Sequence, residues 1–276
     1  MPIRFDHKPG LIVYITAGDA GLQAGQSSAR EGLDATREVA IAAIDAGADV
    51  IELGVPFSDP LGDGPIIQRA MERALAHDSG HAGINLKDVL ALAAEIRAAR
   101  PAAGLVLFSY LNPILRYGLG KFADAAAAAG VDGVLAIDLI VEEAGEYLAE
   151  LARVNLAPIF LAAPTSPDER LKAIAEHSQG FIYAISRVGI TGTQQSLTSD
   201  AASLVARIKR WSKLPVAVGF GISNADHFAQ VAEFADAAVI GSAIVEIIAR
   251  STPESAPGAV SRFIKGLRLP QTALAR

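Results

Sequence analysis

Eight short runs of almost unbroken apolar residues, each followed by a longer stretch with helical periodicity, constrain this chain more than any other feature of its sequence. The runs are LIVYIT (11–16), DVIEL (49–53), GLVLFS (104–109), GVLAI (133–137), the segment 157–162, GFIYAI (180–185), PVAVG (215–219) and AAVI (237–240). Apolar runs without polar alternation are the mark of parallel strands covered on both faces. Between them, apolar positions gather on one helical face. In EEAGEYLAELARVN these are Ala144, Tyr147, Leu148, Leu151 and Val154. In SDAASLVARIKRW they are Leu204, Val205, Ile208 and Trp211, behind a Ser199/Asp200 cap. DATREVAIAAIDAG reads as a helix capped by Asp34 and closed by Gly47. Eight strand–helix units predict the α/β class, as a single-domain (β/α)8 TIM barrel; the 276 residues are close to the ~250 typical of that fold. An open, doubly wound sheet is the alternative. Two segments rich in Gly, Ser and Ala, 20–32 and 77–85, read as loop insertions.

Bulk properties narrow the function classes. Apolar residues make up 51% of the chain, enough for a large core, yet no run approaches the roughly 18 residues that would span a bilayer. The opening MPIRFDHKPG has no signal-peptide core, and there are no cysteines for disulfides or thiolate chemistry. A cytoplasmic location is expected. The net charge of −6, with acids and bases interspersed, argues against nucleic acid. It leaves room for a small phosphate ligand, which backbone N–H groups at a helix start can hold.

Active sites of such barrels are built from the loops that follow the strands. Glu52 lies inside the apolar run DVIEL, where a buried carboxyl without a partner costs about 2–7 kcal/mol even before ionisation. It is either paired to a buried cation or backbone donor, or it is a desolvated acid able to move a proton near neutral pH. Asp63 stands between glycines in SDPLGDGP; alone, an Asp-Gly pair is an ordinary turn, as Asp59 before Pro60 is an ordinary turn starter. VGFGIS (218–223) and IGSAIV (240–245) follow the last two strands, where barrels often bind phosphate. SRVGITGTQQS (186–196) reads as a mobile cover over the mouth, or as a plain surface loop. No lysine stands at a strand end, which disfavours a Schiff base. His77 and His81, four apart in a glycine-rich segment, are weak as metal ligands, and no Gly-x-Gly-x-x-Gly opens the first strand.

In combination, YITAGD (14–19), ADVIELGVPFSDPLGDGP (48–65), YLNPI (110–114), SRVGITG (186–192), VGFGIS (218–223) and GSAIV (241–245) resemble the tryptophan synthase alpha subunit family, in order, from about residue 11 to 250. The resemblance implies cleavage of indole-3-glycerol phosphate to indole and glyceraldehyde 3-phosphate without metal or organic cofactor. It also implies a beta-subunit partner, carrying pyridoxal phosphate, in an αββα heterotetramer. By matching position, Glu52 falls on the family's catalytic glutamate and Asp63 on its catalytic aspartate. Tyr183 matches a tyrosine beside the glutamate. Phe220, Gly221, Gly241 and Ser242 match the phosphate and indole pocket, Gly192 the phosphate side of the lid, and Thr191 the lid threonine that closes on the aspartate. The chain departs from the family at Ile140, usually proline near the beta-subunit surface, at Ala20, usually proline, and at Gly62, where alanine is common; its N-terminal helix is also short. Other readings are a stand-alone indole-forming lyase with drifted partner contacts, a phosphosugar isomerase, and a non-catalytic phosphate-binding activator of a partner.

Overall fold

The computed structural model describes residues 3–19, 21, 28–76, 83–185, 194–219 and 221–268. Among these, nine parallel strands form one sheet: β1 Gly10–Thr16, β2 Val50–Gly54, β3 Gly104–Ser109, β4 Gly133–Ala136, β5 Ala157–Ile159, β6 Leu161–Ala162, β7 Ile182–Ile185, β8 Val216–Gly219 and β9 Ala237–Ile240. Their spatial order is β5-β4-β3-β2-β1-β9-β8-β7-β6. The two ends of this order, β5 and β6, are a single stretch of chain interrupted only at Phe160. The fifth apolar run is therefore split rather than continuous: β5 pairs with β4 and β6 with β7, which brings the sheet round into a barrel.

The apolar runs divide by parity, as side chains of successive strand residues point to opposite faces. One buried set, with Leu11, Val13, Ile51, Leu53, Leu105 and Leu107, packs against the surrounding helices. A second, smaller set lies within the ring and includes Ile12, Tyr14, Val50, Val106, Phe108 and Leu135. This parity places Glu52, two residues beyond Val50, on the inward face.

The helices are α1 Ala29–Asp45, α2 Pro65–Leu75, α3 Leu86–Ala99, α4 Leu111–Tyr117, α5 Leu119–Ala128, α6 Gly145–Arg153, α7 Asp168–His177, α8 Gln194–Ile208, α9 Ala225–Ala232, α10 Ser242–Ala249 and α11 Ala256–Leu267. Two caps differ from the sequence reading. Helix α1 starts at Ala29 behind Ser28, whose hydroxyl accepts from the Glu31 N–H while Glu31 returns a bond to the Ser28 N–H. This reciprocal pair satisfies two orphan donors at once, so it outcompetes Asp34, which lies inside the helix paired with Arg30. Residues 29–32 thus belong to a helix, not to an insertion. Helix α8 begins before Ser199 and Asp200, which are therefore interior rather than capping. Trp211 lies past its end and is exposed, whereas Leu204, Val205 and Ile208 are buried. Gly47 ends α1 in the left-handed region, with φ 109°, as its position suggested.

Candidate active site

Strand β2 sits between β1 and β3 with Tyr14, Glu52 and Val106 in register. Glu52 is completely buried, and neither carboxyl oxygen has a hydrogen-bond partner among the described residues. A buried arginine or backbone donor, the structural explanation open at the sequence level, is therefore not what holds it. Desolvation disfavours the carboxylate and lifts the Glu52 pKa to about 8. At neutral pH this side chain carries a proton.

Asp63 lies on the loop from β2 to α2. Its backbone N–H donates to Pro60 O at 3.1 Å, and Gln68 Nε2 donates to its carbonyl at 2.9 Å. These bonds shape the turn and leave the carboxyl free to take a different partner. The Tyr110 hydroxyl donates to Asp63 Oδ2 at 2.7 Å and accepts from the Gly62 N–H at 3.0 Å. The Tyr110 ring is stacked on Phe57, with centroids 4.8 Å apart. Burial pushes the Asp63 pKa up to about 6, against the Tyr110 hydrogen bond, which pulls it down. Asp63 is thus ionised at neutral pH while Glu52 is not. Asp59, by contrast, is exposed and accepts from the neighbouring Ser58 hydroxyl, which makes it a loop residue.

Two further tyrosines join these carboxyls. Tyr14 crosses the end of β2 so closely that a Cβ on Gly54 would stand 2.3 Å from its hydroxyl, and Tyr183 crosses Gly219 in the same way at 2.8 Å. Glycine at each strand end is what admits the rings. Both hydroxyls interact electrostatically with Glu52 and with Asp63, and burial raises both pKa values, keeping the phenols neutral. Tyr14 also accepts from Thr16 Oγ1 at 3.3 Å and meets Phe108 edge-on at 5.1 Å. Tyr14 and Tyr110 had no role in the sequence reading. A signal for the first was available: it has the parity of Ile12 and stands opposite Glu52.

At the end of β9, which neighbours β1, Gly241 lies close to Tyr14 and Ile67: a Cβ there would be 3.6 Å and 3.7 Å from them. Ser242 then opens α10, whose N-terminus has no side-chain cap. Helix α9 instead spends Asn224 on its first turn, through the His227 N–H at 2.9 Å. The first N–H groups of α10 are therefore available to an anion beside the carboxyl pair. Gly221 adopts φ 69°, and among the described residues a Cβ added there would meet nothing within 4 Å. Thr191, Gly192 and Phe220 lie outside the described residues, as do Arg187, the lid stretch 186–193, Ala20, His77 and His81. Among the described residues no group of three His, Asp or Glu could hold a metal, and no helix is long and apolar enough to cross a membrane.

The family model described as tryptophan synthase alpha chain matches residues 3–267. The chain belongs to the tryptophan synthase alpha chain family. A tryptophan synthase alpha chain of Solibacter usitatus is 43% identical over 254 residues, 92% of this chain and 89% of that one. The crystal structure of the alpha subunit from Legionella pneumophila superposes with a TM-score of 0.80 at 36% identity, covering 94% of this chain and 91% of that one. A chain of the tryptophan synthase complex from Pyrococcus furiosus superposes with a TM-score of 0.79 at 35% identity, covering 94% of this chain and 98% of that one.

Two positions where the chain departs from the tryptophan synthase alpha pattern can be placed in the structure. Gly62 is closely surrounded, for an alanine methyl would lie 3.0 Å from Ile137 Cδ1 and 3.3 Å from the Tyr110 hydroxyl. Ile140 is 45% exposed, just after β4.

Proposed function

We propose that this chain cleaves indole-3-glycerol phosphate to indole and glyceraldehyde 3-phosphate as the alpha subunit of a tryptophan synthase, acting as one barrel domain in the cytoplasm. The observation that carries the residue assignment is the pair of carboxyls in opposite charge states on one rim: Glu52 dry, unpartnered and protonated, Asp63 ionised and hydrogen-bonded.

The bond from indole C3 to the glycerol chain cannot release its electrons to the ring until C3 has been protonated. Glu52 delivers that proton. Positive charge then builds on the ring nitrogen, whose N–H donates to the Asp63 carboxylate; one such aimed contact is worth about 3 kcal/mol of barrier in comparable sites. Glu52 is now a carboxylate in a medium that disfavours its charge, and it takes the hydroxyl proton from the glycerol carbon bonded to C3. The carbon–carbon bond breaks, its electrons return to the indole, and the aldehyde forms. The proton has gone out and come back, so the glutamate ends as it began. Two carboxyls complete the cycle, and the step calls for no metal or organic cofactor; pyridoxal phosphate belongs to the beta subunit.

Gly241, Ser242 and Gly221, with Gly192 and Phe220, hold the phosphate and the indole. Tyr183 packs beside Glu52, and Thr191 closes toward Asp63. Leu61, Leu115 and Ile140 are exposed on the segments that follow β2, β3 and β4. They supply apolar surface for the beta subunit at this end of the barrel. The test is indole release from indole-3-glycerol phosphate by the purified chain, alone and with a beta subunit. Indole in both cases, faster with the partner, is expected; none in either would overturn the reading.

A further inference from the structure

Asp63 rides on a loop, yet the cleavage needs its carboxylate in one place and in one charge state. Backbone bonds define the turn but do not reach the carboxyl. Among the described residues the hydrogen bond to that carboxyl comes from Tyr110, which follows directly on β3 and is itself fixed in three ways. Its ring is 3% exposed and stacked on Phe57. The next residue, Leu111, donates its N–H to Asp138 at 2.7 Å, fastening the start of α4 to the end of the β4 strand. Its hydroxyl makes two bonds into one loop, to the Gly62 N–H and to Asp63 Oδ2, so it grips the backbone and the side chain together. A phenol locked by a stack has little rotamer freedom left to lose, and a hydrogen bond to a charged acceptor is among the stronger kinds.

We infer that Tyr110 is the positioning residue for Asp63: its hydroxyl fixes the carboxylate over the barrel mouth and holds it in the ionised form. The inference rests on the role given to Asp63 above. It assigns Tyr110 no contact with reacting atoms.

The consequence for pH dependence follows from the groups that face Asp63 among the described residues. These are Glu52 on β2, Tyr14 on β1, Tyr183 on β7 and Tyr110 itself, with Asp138 acting on Tyr110. Below pH 8 Glu52 is neutral, and the tyrosines are neutral throughout, so none of them changes charge in the range where Asp63 titrates. Donation from Tyr110 favours the carboxylate; removing it favours the acid. The loss in Tyr110→Phe is therefore greatest at the acid end.

Tyr110→Phe deletes the hydroxyl and keeps the stacked ring. In kcat/KM for indole-3-glycerol phosphate against pH, the acid limb is expected to move up by about one unit, so that the loss is roughly twofold at pH 7 and approaches tenfold at about pH 5. The 13C titration of the Asp63 carboxyl, followed without substrate, is expected to move the same way and is independent of turnover. An acid limb and a carboxyl titration that both stay in place would overturn the inference, whatever happens to the plateau. Asp63→Asn separates this outcome from failure of the underlying reading. If that variant turns over normally, Asp63 has no role to be positioned for. If it is inactive while Tyr110→Phe leaves both titrations unmoved, only the inference about Tyr110 falls.

Discussion

Glu52→Gln should make the protein more stable while disabling it, and the gain should depend on pH. In the folded chain the carboxyl titrates near 8 against an ordinary value of 4.5. The folded state therefore holds a proton that the unfolded state has given up throughout that interval. Its contribution to stability is intact below about pH 4.5 and drains away as pH rises to about 8, at 1.36 kcal/mol per unit. At pH 7 the interval crossed is about 2.5 units, so the native protein has lost about 3 kcal/mol, against about 1 kcal/mol at pH 5. Glutamine has nearly the same shape, does not ionise, and meets the same absence of partners, so it escapes this loss. Every other titrating group is common to both proteins and cancels in the difference. Urea unfolding at pH 5 and pH 7 should show the stability of the variant relative to the parent rising by about 2 kcal/mol between the two. A difference that stays constant with pH would mean that Glu52 is ionised in the fold, and the proton-donor argument would fail with it.

Other outcomes follow from the same geometry. The kcat/KM profile should be bell-shaped, with an acid limb near 6 as Asp63 becomes protonated and an alkaline limb near 8 as Glu52 loses its proton; a profile rising steadily to pH 9 would contradict the assignment. Ser242→Ala should raise KM about three- to tenfold with little change in kcat, since the backbone donors of α10 remain; steady-state kinetics at pH 7 decide this. Asp132→Ala should destabilise the fold by about 1–3 kcal/mol, read by urea unfolding, because it takes the acceptor from the buried Leu105 N–H at 2.9 Å and the ion-pair partner from Arg97, which keeps its bonds to the Gly130, Pro101 and Ala103 carbonyls.

Much of the barrel was legible because parallel strands buried on both faces leave unbroken apolar runs. The division of those runs into inward and helix-facing sets was not, since both sets are apolar; Glu52 was visible only as the exception inside one of them. Cap competition hid the true start of α1. Ser28 wins over Asp34 through a reciprocal pair with Glu31, a choice that spacing alone could not decide between two good caps. Asp63 was legible through its motif, whereas its partner Tyr110 is 47 positions away and meets it only because the segments following β2 and β3 lie side by side. Tyr183 was matched only by motif to a tyrosine beside the glutamate and Tyr14 carried no role; both rings pack against the inward-facing set. Their place beside the carboxyls depends on Gly54 and Gly219 at neighbouring strand ends, a relation set by register rather than by local sequence.

The measurement that bears most directly on the central claim is indole release by Glu52→Gln at saturating indole-3-glycerol phosphate, with folding and phosphate binding checked on the same sample. Loss of about three orders of magnitude or more, with both properties retained, is predicted for a residue that supplies the proton to C3. Turnover close to that of the parent chain would contradict the account.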